Sequence, residues 1–216
     1  MNPEKSCKEG IYELLNPENC ALALIDFEPQ MVFGVNSMDR QLLIDNVAAL
    51  SKAAKIFNIP TILTTVAAKT FSGEMLSQIK EVFPDIKPID RTNMNSWEDV
   101  NFRNAIKNTK RKKLIMAALW TEVCLAFPVL SALEEGYEVY IVTDTCGGIS
   151  KKIHKTAIKR LIQAGARPVT WMQVLLEFQR DWAKTETYEQ VTELLKEYGG
   201  AYGAGIYYAQ TFFKHK

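Results

Sequence analysis

Short apolar runs alternate with longer amphipathic segments along most of the chain. The apolar runs predict buried strands at residues 21–25, 61–66, 87–90, 113–119, 138–144 and 167–170. Between these runs, apolar residues recur at helical spacing, which predicts helices at 41–57, 74–82, 99–108, 123–134, 151–164, 174–182 and 188–198. The regular alternation of strand and helix is typical of one class of fold.

Six strands separated by helices indicate a parallel sheet, because several of the runs are continuously apolar and must be covered on both faces. We predict an α/β fold, a three-layer α/β/α sandwich with a six-stranded, mainly parallel, doubly wound sheet in the order 3-2-1-4-5-6. Ligands bind such sheets beyond the carboxyl ends of the strands, near the point where the strand order reverses. Reactive residues are therefore expected directly after strands, above all after the first and the fourth.

The chain has 216 residues, of which 47% are hydrophobic and 24% charged, so one sizeable core is expected. We predict an N-terminal extension at 1–17, the α/β domain at 18–198, and a tail at 199–216 that is rich in glycine and aromatic residues. So many aromatic side chains on a short tail would leave an exposed apolar patch, which favours contact with another subunit. The alternative is a last strand or helix that packs on the same chain.

The net charge of +1 gives no electrostatic footprint for nucleic acid or anionic lipid, so we expect partners of neither kind. No window of about 18 apolar residues predicts a membrane span, and the N-terminal segment has no apolar signal-peptide core. The four cysteines are widely spaced and form no CxxC pair, which argues against a disulfide framework or a zinc knuckle. Together these features predict a cytoplasmic protein.

Two candidates for chemistry follow the first and fourth predicted strands. Asp26 ends the apolar run ALALI, and Cys124 lies a few residues beyond LIMAAL, near the predicted start of a helix. A helix N-terminus lowers the pKa of a thiol and can hold an oxyanion, and a nearby carboxylate can accept the thiol proton. The alternative is structural, because a free cysteine is commonly a small buried hydrophobe and an aspartate after a strand often caps a turn.

Three segments carry a resemblance to a known family: IDFEPQM around Asp26, RTNMNSW from Arg91, and LWTEVCLAFPVLSALEEGYEVYIVTDTCGG around Cys124. Together they resemble the isochorismatase-like cysteine hydrolases, and within these the YcaC-like bacterial branch, over about residues 18–182. The resemblance implies an α/β sandwich, a nucleophilic cysteine, an aspartate base and a cationic third member of a catalytic triad. Cys124 and Asp26 match the first two of these catalytic residues.

The third catalytic position departs from the family, in which most members carry lysine. It matches Arg91, whose fixed charge can lower the thiol pKa and hold a carbonyl or the base, but which cannot donate a proton at neutral pH. Lys87 is a weaker alternative, and a surface or interface ion pair is the structural alternative for Arg91. The resemblance also implies a cis bond between Leu119 and Trp120, which would let the Trp120 and Cys124 amides form an oxyanion hole.

Side chains that follow the matched triad residues are the candidates for substrate binding. The main candidates are Phe27, Gln30, Asn95 and Trp97, and further candidates are Glu28 and Asn93. Nicotinamidase-type relatives also hold a metal ion, with an aspartate and two histidines shortly after the catalytic aspartate. This chain has only His154 and His215, which cannot make that site, so we expect no metal and no cofactor.

We predict a cysteine-dependent hydrolase that cleaves a small amide-like C–N bond through a thioester intermediate. Its partners are then a small-molecule substrate, which the sequence does not identify, and further copies of the chain, since the resemblance includes octameric hydrolases. The alternative is a catalytically weak binding or assembly protein of the same fold, which the arginine in place of lysine and the bulky Trp120 motivate. A weaker third alternative is hydrolysis of a vinyl ether, and the presence of Cys124 argues against it.

Overall fold

The computed structural model describes residues 14–213, so parts of the predicted extension and tail, together with Cys7 and His215, lie outside the described residues. The strands are β1 Cys20–Ile25, β2 Thr61–Val66, β3 Ile89–Arg91, β4 Lys113–Ala118, β5 Glu138–Val142 and β6 Arg167–Val169. They form one parallel sheet in the order β3-β2-β1-β4-β5-β6. The predicted fold class and strand order are confirmed.

Helices cover this sheet. They are α1 Pro29–Phe33, α2 Arg40–Ile56, α3 Ser77–Lys80, α4 Val100–Asn108, α5 Ala126–Glu134, α6 Lys151–Gln163, α7 Trp171–Gln179, α8 Thr185–Tyr198 and α9 Gly200–Phe213. Polar side chains cap α2, α4, α6 and α7 by accepting a hydrogen bond from a first-turn N–H group: Asp39, Asp99, Ser150 and Thr170. No helix within residues 14–213 is long and apolar enough to cross a membrane.

The two central strands, β1 and β4, are buried along their whole length. Burial on both faces explains why their sequences, CALALI and KLIMAA, are almost continuously apolar instead of alternating. They pair in parallel, with Ile25 opposite Ala118. The strand order reverses between them, so the residues that follow β1 and β4 emerge side by side at the carboxyl edge of the sheet.

Several boundaries near this edge differ from the prediction. The helix predicted at 123–134 begins at Ala126, because Thr121–Leu125 forms a separate π-helical turn. A second π-helical turn, Ala68–Ser72, follows β2, and the helix predicted at 74–82 is limited to α3. Strand β3 ends at Arg91 instead of residue 90, which places this arginine at the carboxyl edge.

Candidate active site

Asp26 lies directly after β1, at the centre of the carboxyl edge. Its backbone adopts a left-handed conformation, with φ of 59°, which ends the strand and turns the chain toward α1. The Asp26 N–H still donates to the Thr64 carbonyl of β2, at 3.0 Å, and the residue is completely buried. The Asp26 carboxylate is therefore fixed at the edge and shielded from solvent.

Cys124 lies in the π-helical turn after β4. The Trp120 carbonyl accepts hydrogen bonds from the N–H groups of Val123 and Leu125, at 3.1 and 3.2 Å. The turn is tied to the neighbouring loop by the Thr121 N–H, which donates to the Gly147 carbonyl at 2.9 Å. The Leu119–Trp120 bond is cis, as the resemblance predicted.

The turn brings the Cys124 sulfur against two groups of the site. The thiol is hydrogen-bonded to the Asp26 carboxylate, and the Trp120 N–H donates to the sulfur. The residue is almost fully buried. The predicted nucleophile, the predicted base and one of the two amides predicted for the oxyanion hole therefore meet at one point.

Arg91 completes this cluster from the end of β3. It pairs in register with Val66 of β2. One guanidinium nitrogen, Nη2, contacts both Asp26 oxygens, at 2.8 and 2.7 Å, and Nη1 donates to the Asn93 carbonyl. Both charged side chains are completely buried, so this is a buried ion pair and not a surface one. Lys87, the weaker alternative, is exposed before β3 begins.

Burial controls the electrostatics of the cluster. It raises the pKa of Asp26 from 3.8 to about 6, although Arg91 and the Cys124 thiol stabilise the carboxylate. Burial and the adjacent Asp26 also raise the pKa of the Cys124 thiol, and Arg91 and the Trp120 N–H oppose this only in part. The predicted lowering of the thiol pKa is therefore wrong in direction. At rest Cys124 is a neutral thiol that donates a hydrogen bond to Asp26.

The sequence and the fold of this chain are similar to those of known proteins. A family model described as the isochorismatase domain matches residues 20–173. The chain belongs to the isochorismatase family. The "Probable hydrolase YcaC" of Escherichia coli (strain K12) is 41% identical over 172 residues, which are 79% of this chain and 83% of the relative. This relative supports the predicted YcaC-like branch within the family.

Two solved structures resemble the whole isochorismatase-family fold of this chain. One is YcaC from Pseudomonas aeruginosa with hexane-2,5-diol and covalent acrylamide, with a TM-score of 0.88 and 35% identity over 94% of this chain and 98% of that one. The other is the YcaC gene product of Escherichia coli, described as an octameric hydrolase of unknown specificity, with a TM-score of 0.88 and 36% identity over 93% and 98% of the two chains. The chain is therefore an isochorismatase-family hydrolase.

Glu28 is a further buried acid beside the isochorismatase-family cluster. Its Oε1 atom accepts a hydrogen bond from the Val66 N–H at 2.8 Å, and its Oε2 atom is buried with no partner among residues 14–213. Burial, and then the charge of Asp26, raise its pKa from 4.5 to about 8. In the sequence, Glu28 is only one of several candidate cleft residues. The one available signal was a second acid two residues after the strand-end aspartate.

The predicted substrate residues have different environments. Phe27 is completely buried and Gln30 is exposed on the first turn of α1. Asn95 donates to Ser131 of α5, and the buried Trp97 donates to Glu135 just after this helix. The ring of Trp97 also packs edge-on against two aromatic rings, those of Phe102 and Tyr137. These contacts join Asn95 and Trp97 to α4 and α5, whereas Asp26 binds both Arg91 and Cys124.

Trp120 lies between the cluster and α1. Its indole Nε1 donates to the Met31 carbonyl at 2.8 Å, and the side chain is half-buried. A Cβ atom at Gly34 would overlap the indole ring, so the absence of a side chain at this glycine lets the ring pack there. The indole therefore closes the side of the site that faces α1.

Other nucleophilic and metal-binding side chains lie apart from the cluster. Cys20 and Cys146 are buried, and burial raises the pKa of each thiol to about 12. The His154 Nδ1 atom is 2.8 Å from the Thr121 hydroxyl, so this histidine contacts the π-helical turn. Within residues 14–213, no group of three or more His, Cys, Asp or Glu side chains could hold a metal ion.

Proposed function

We propose that the chain is a cysteine-dependent hydrolase that cleaves a small amide-like C–N bond through a thioester intermediate. The observation that supports this proposal best is the convergence of Cys124, Asp26 and Arg91 at the carboxyl edge of the sheet, with the thiol already hydrogen-bonded to the carboxylate. A nucleophile within hydrogen-bond reach of a base that a third group orients is the arrangement required for covalent catalysis. Phe27, Gln30, Asn95 and Trp97 remain candidates for substrate contacts.

The first half of the reaction forms the thioester. The neutral thiol transfers its proton to Asp26 as the sulfur attacks the carbonyl carbon, so a stable thiolate is not required at rest. The Cys124 N–H and the Trp120 N–H, which moves from the sulfur to the substrate during the attack, stabilise the charge that develops on the carbonyl oxygen. Asp26 then gives the proton to the leaving amine as the C–N bond breaks. Arg91 keeps the carboxylate oriented through both transfers.

The second half of the reaction releases the acid. Asp26, again ionised, removes a proton from water, and the resulting hydroxide attacks the thioester carbonyl. The C–S bond then breaks, and the proton on Asp26 returns to the sulfur to regenerate the thiol. The proposed sequence consumes one amide and one water and uses no metal or cofactor.

One relative supports a reactive nucleophile in a site of this kind. A covalent acrylamide in YcaC from Pseudomonas aeruginosa requires a nucleophilic side chain in that protein, and acrylamide is itself a small amide. A small neutral ligand also suits a site whose residues are nearly all buried. We therefore propose a small molecule as the partner of this chain, in the cytoplasm, with no part for nucleic acid or membrane.

Covalent labelling tests the proposal. Acrylamide and iodoacetamide should modify Cys124 in the wild type, and Cys124→Ala should abolish both the modification at this site and any amidase turnover. Peptide mapping by mass spectrometry locates the adduct. Cys146→Ser is the matched control, because this buried cysteine follows β5 and is not bonded to Asp26. Turnover of an identified amide by the Cys124→Ala protein would overturn the mechanism.

The second candidate is a binding or assembly protein that keeps the fold with little hydrolysis. It is favoured by the raised thiol pKa and by the full engagement of the Arg91 Nη atoms with Asp26 and Asn93. If this candidate holds, Cys124 reacts no faster than an unperturbed thiol at the same pH. If the chain is a hydrolase, general-base assistance by Asp26 makes Cys124 react faster than an unperturbed thiol at the same pH.

We also propose that the chain forms a homo-oligomer through α9, with an octamer as the expected size because the relative from Escherichia coli is octameric. Residues 200–213 contain no charged side chain. Tyr207, Phe212 and Phe213 remain 65%, 64% and 65% exposed on this helix. Exposed aromatic surface of this density is typical of interfaces between subunits.

A further inference from the structure

Two buried carboxylic acids and one buried arginine occupy the carboxyl edge of β1, β2 and β3. Asp26, Glu28 and Arg91 are each at most 4% exposed. The guanidinium directs its two Nη atoms to Asp26 and Asn93, and no hydrogen bond joins it to Glu28 in the described chain. One cation cannot neutralise two buried carboxylates, and an unpaired buried charge is strongly unfavourable. Glu28 is therefore a neutral carboxylic acid, whereas Asp26 is the ionised partner of Arg91.

The Glu28 side chain also connects the two segments that carry this ion pair. It lies two residues after Asp26 and is the N-cap residue of α1, yet its side chain does not cap its own helix. Instead, Oε1 binds the N–H of Val66, the residue that pairs in register with Arg91. The next residue, Ala67, donates to the Arg91 carbonyl at 2.7 Å. A single hydrogen bond, donated by the Val66 N–H to Glu28, thus joins the turn of Asp26 to the strand edge of Arg91.

We propose that neutral Glu28 is a positioning residue that fastens the turn carrying Asp26 to the strand edge carrying Arg91. This inference rests on the proposed function, since it concerns the base of that reaction. The charged groups that face Glu28 are Asp26 on its own segment, and Asp90 and Arg91 on β3. Ionisation of Glu28 would add a second anion beside Asp26 and compete for Arg91, so the alignment is kept only while the acid is neutral.

The protonation state of Glu28 is tested by stability as a function of pH. Because the pKa of Glu28 is raised from 4.5 to about 8, the folded state binds a proton between these values that the unfolded state does not, and the stability that it contributes falls as pH rises. Glu28→Gln is a permanently neutral isostere that does not titrate. Its melting temperature relative to the wild type should rise by about 10 °C from pH 5 to pH 8.

Glu74→Gln is the matched control for this comparison. The exposed Glu74 has a pKa lowered by its hydrogen bond to Lys80, so it is ionised in both states from pH 5 to pH 8. Its difference in melting temperature from the wild type should not change over this range. A difference for Glu28→Gln that is equally independent of pH would overturn the neutral state of Glu28.

The positioning role is tested by labelling Cys124 with acrylamide at pH 7. Glu28→Gln keeps an acceptor for the Val66 N–H and should label within about twofold of the wild type. Glu28→Met has a similar length but no comparable acceptor, and it should label about 10- to 100-fold more slowly, because small displacements of catalytic groups are costly. A folded Glu28→Met protein that labels at the wild-type rate would overturn the positioning role.

The two measurements also separate this inference from the proposed function. If the wild type itself fails to label, the hydrolase proposal fails, but the melting comparison still decides whether Glu28 is neutral. If Glu28→Met does not fold, Glu28→Asp replaces it, because the shorter side chain keeps a carboxylic acid but cannot reach Val66 from the same backbone. Labelling of a folded Glu28→Asp protein at the wild-type rate would overturn the positioning role equally.

Discussion

At the scale of the residue, the main feature of this site is the buried ion pair between Arg91 and Asp26. An ammonium is a point charge, whereas the Arg91 guanidinium binds Asp26 with one nitrogen and the Asn93 carbonyl with another. It thereby ties the loop after β3 to Asp26. In the proposed reaction, the arginine cannot donate a proton at neutral pH, so the proton of the leaving group comes from Asp26.

Replacement of Arg91 should affect stability in a graded way. Arg91→Met leaves the Asp26 carboxylate buried without a counter-charge and should lower the free energy of unfolding by about 3–5 kcal/mol. Arg91→Lys keeps the charge and should cost less. Urea denaturation at pH 7 measures both. The double variant Asp26→Asn/Arg91→Met should be more stable than Arg91→Met alone, because it has no uncompensated charge. Equal stability of these two variants would contradict the ion-pair account.

The pH dependence of labelling should report the base. Asp26 can accept the thiol proton only when ionised, and burial raises its pKa to about 6, so the rate of Cys124 alkylation should rise through about pH 6. Asp26→Asn should remove this rise and slow alkylation at pH 7 by about 10²- to 10⁴-fold. Iodoacetamide kinetics from pH 5 to pH 7.5, followed by intact-protein mass spectrometry, measure both effects. A rise that persists in Asp26→Asn would show that another group is the base.

Some of these residues could be predicted from the sequence and some could not. Asp26 and Cys124 follow the two central strands, so the general rule for parallel sheets indicated them, and the family resemblance indicated Arg91. The role of Glu28 depends on a bond to Val66, 38 residues away, which no local pattern reveals. The predicted lowering of the Cys124 thiol pKa was wrong because the pKa is raised by burial and by proximity to Asp26, which are tertiary properties.

At the scale of the element, continuous apolar runs predicted strands closely. The β2 prediction at 61–66 matches the structure, and β1 and β4 differ from theirs by one residue. The turns that shape the site were not predicted. Thr121–Leu125 is held by the Gly147 carbonyl and by the Trp120 carbonyl, which are fixed by the packing of other segments. Amphipathic spacing alone could not distinguish this π-helical turn from the first turn of α5.

The packing of the Trp120 ring on the turn after α1 gives a prediction at this scale. Gly34→Ala places a methyl group against the indole, so the ring or α1 must shift, at a cost of about 1–3 kcal/mol. The variant should melt at a lower temperature and label more slowly at Cys124. Gly205→Ala is the control, because a Cβ atom there meets no atom within 4 Å and alanine favours the helix. A Gly34→Ala protein as stable as the wild type would exclude this contact as a constraint.

At the scale of the whole molecule, α9 is the element whose composition the single chain does not explain. The described part of the predicted tail forms the helix α9 on the same chain, and Gly203 is buried where a Cβ atom would overlap the Leu195 carbonyl of α8. Small residues thus pack one side of α9 closely on α8. Its large aromatic side chains stay exposed, which a soluble monomer would avoid. Packing on α8 accounts for the buried side of α9, and the proposed contact between subunits would cover the exposed side.

Charge substitution on α9 should therefore separate the subunits. Tyr207 and Phe212 are exposed on this uncharged helix, so Tyr207→Lys/Phe212→Lys introduces two like charges without disturbing the buried side at Gly203. Light scattering coupled to size-exclusion chromatography should show an oligomer for the wild type and smaller species for this variant, at unchanged helical content. Ile162→Lys also introduces a lysine at an exposed apolar position, on α6, and it should leave the mass of the oligomer unchanged. An oligomer that resists the α9 substitutions would place the interface elsewhere and leave the aromatic surface of α9 without this explanation.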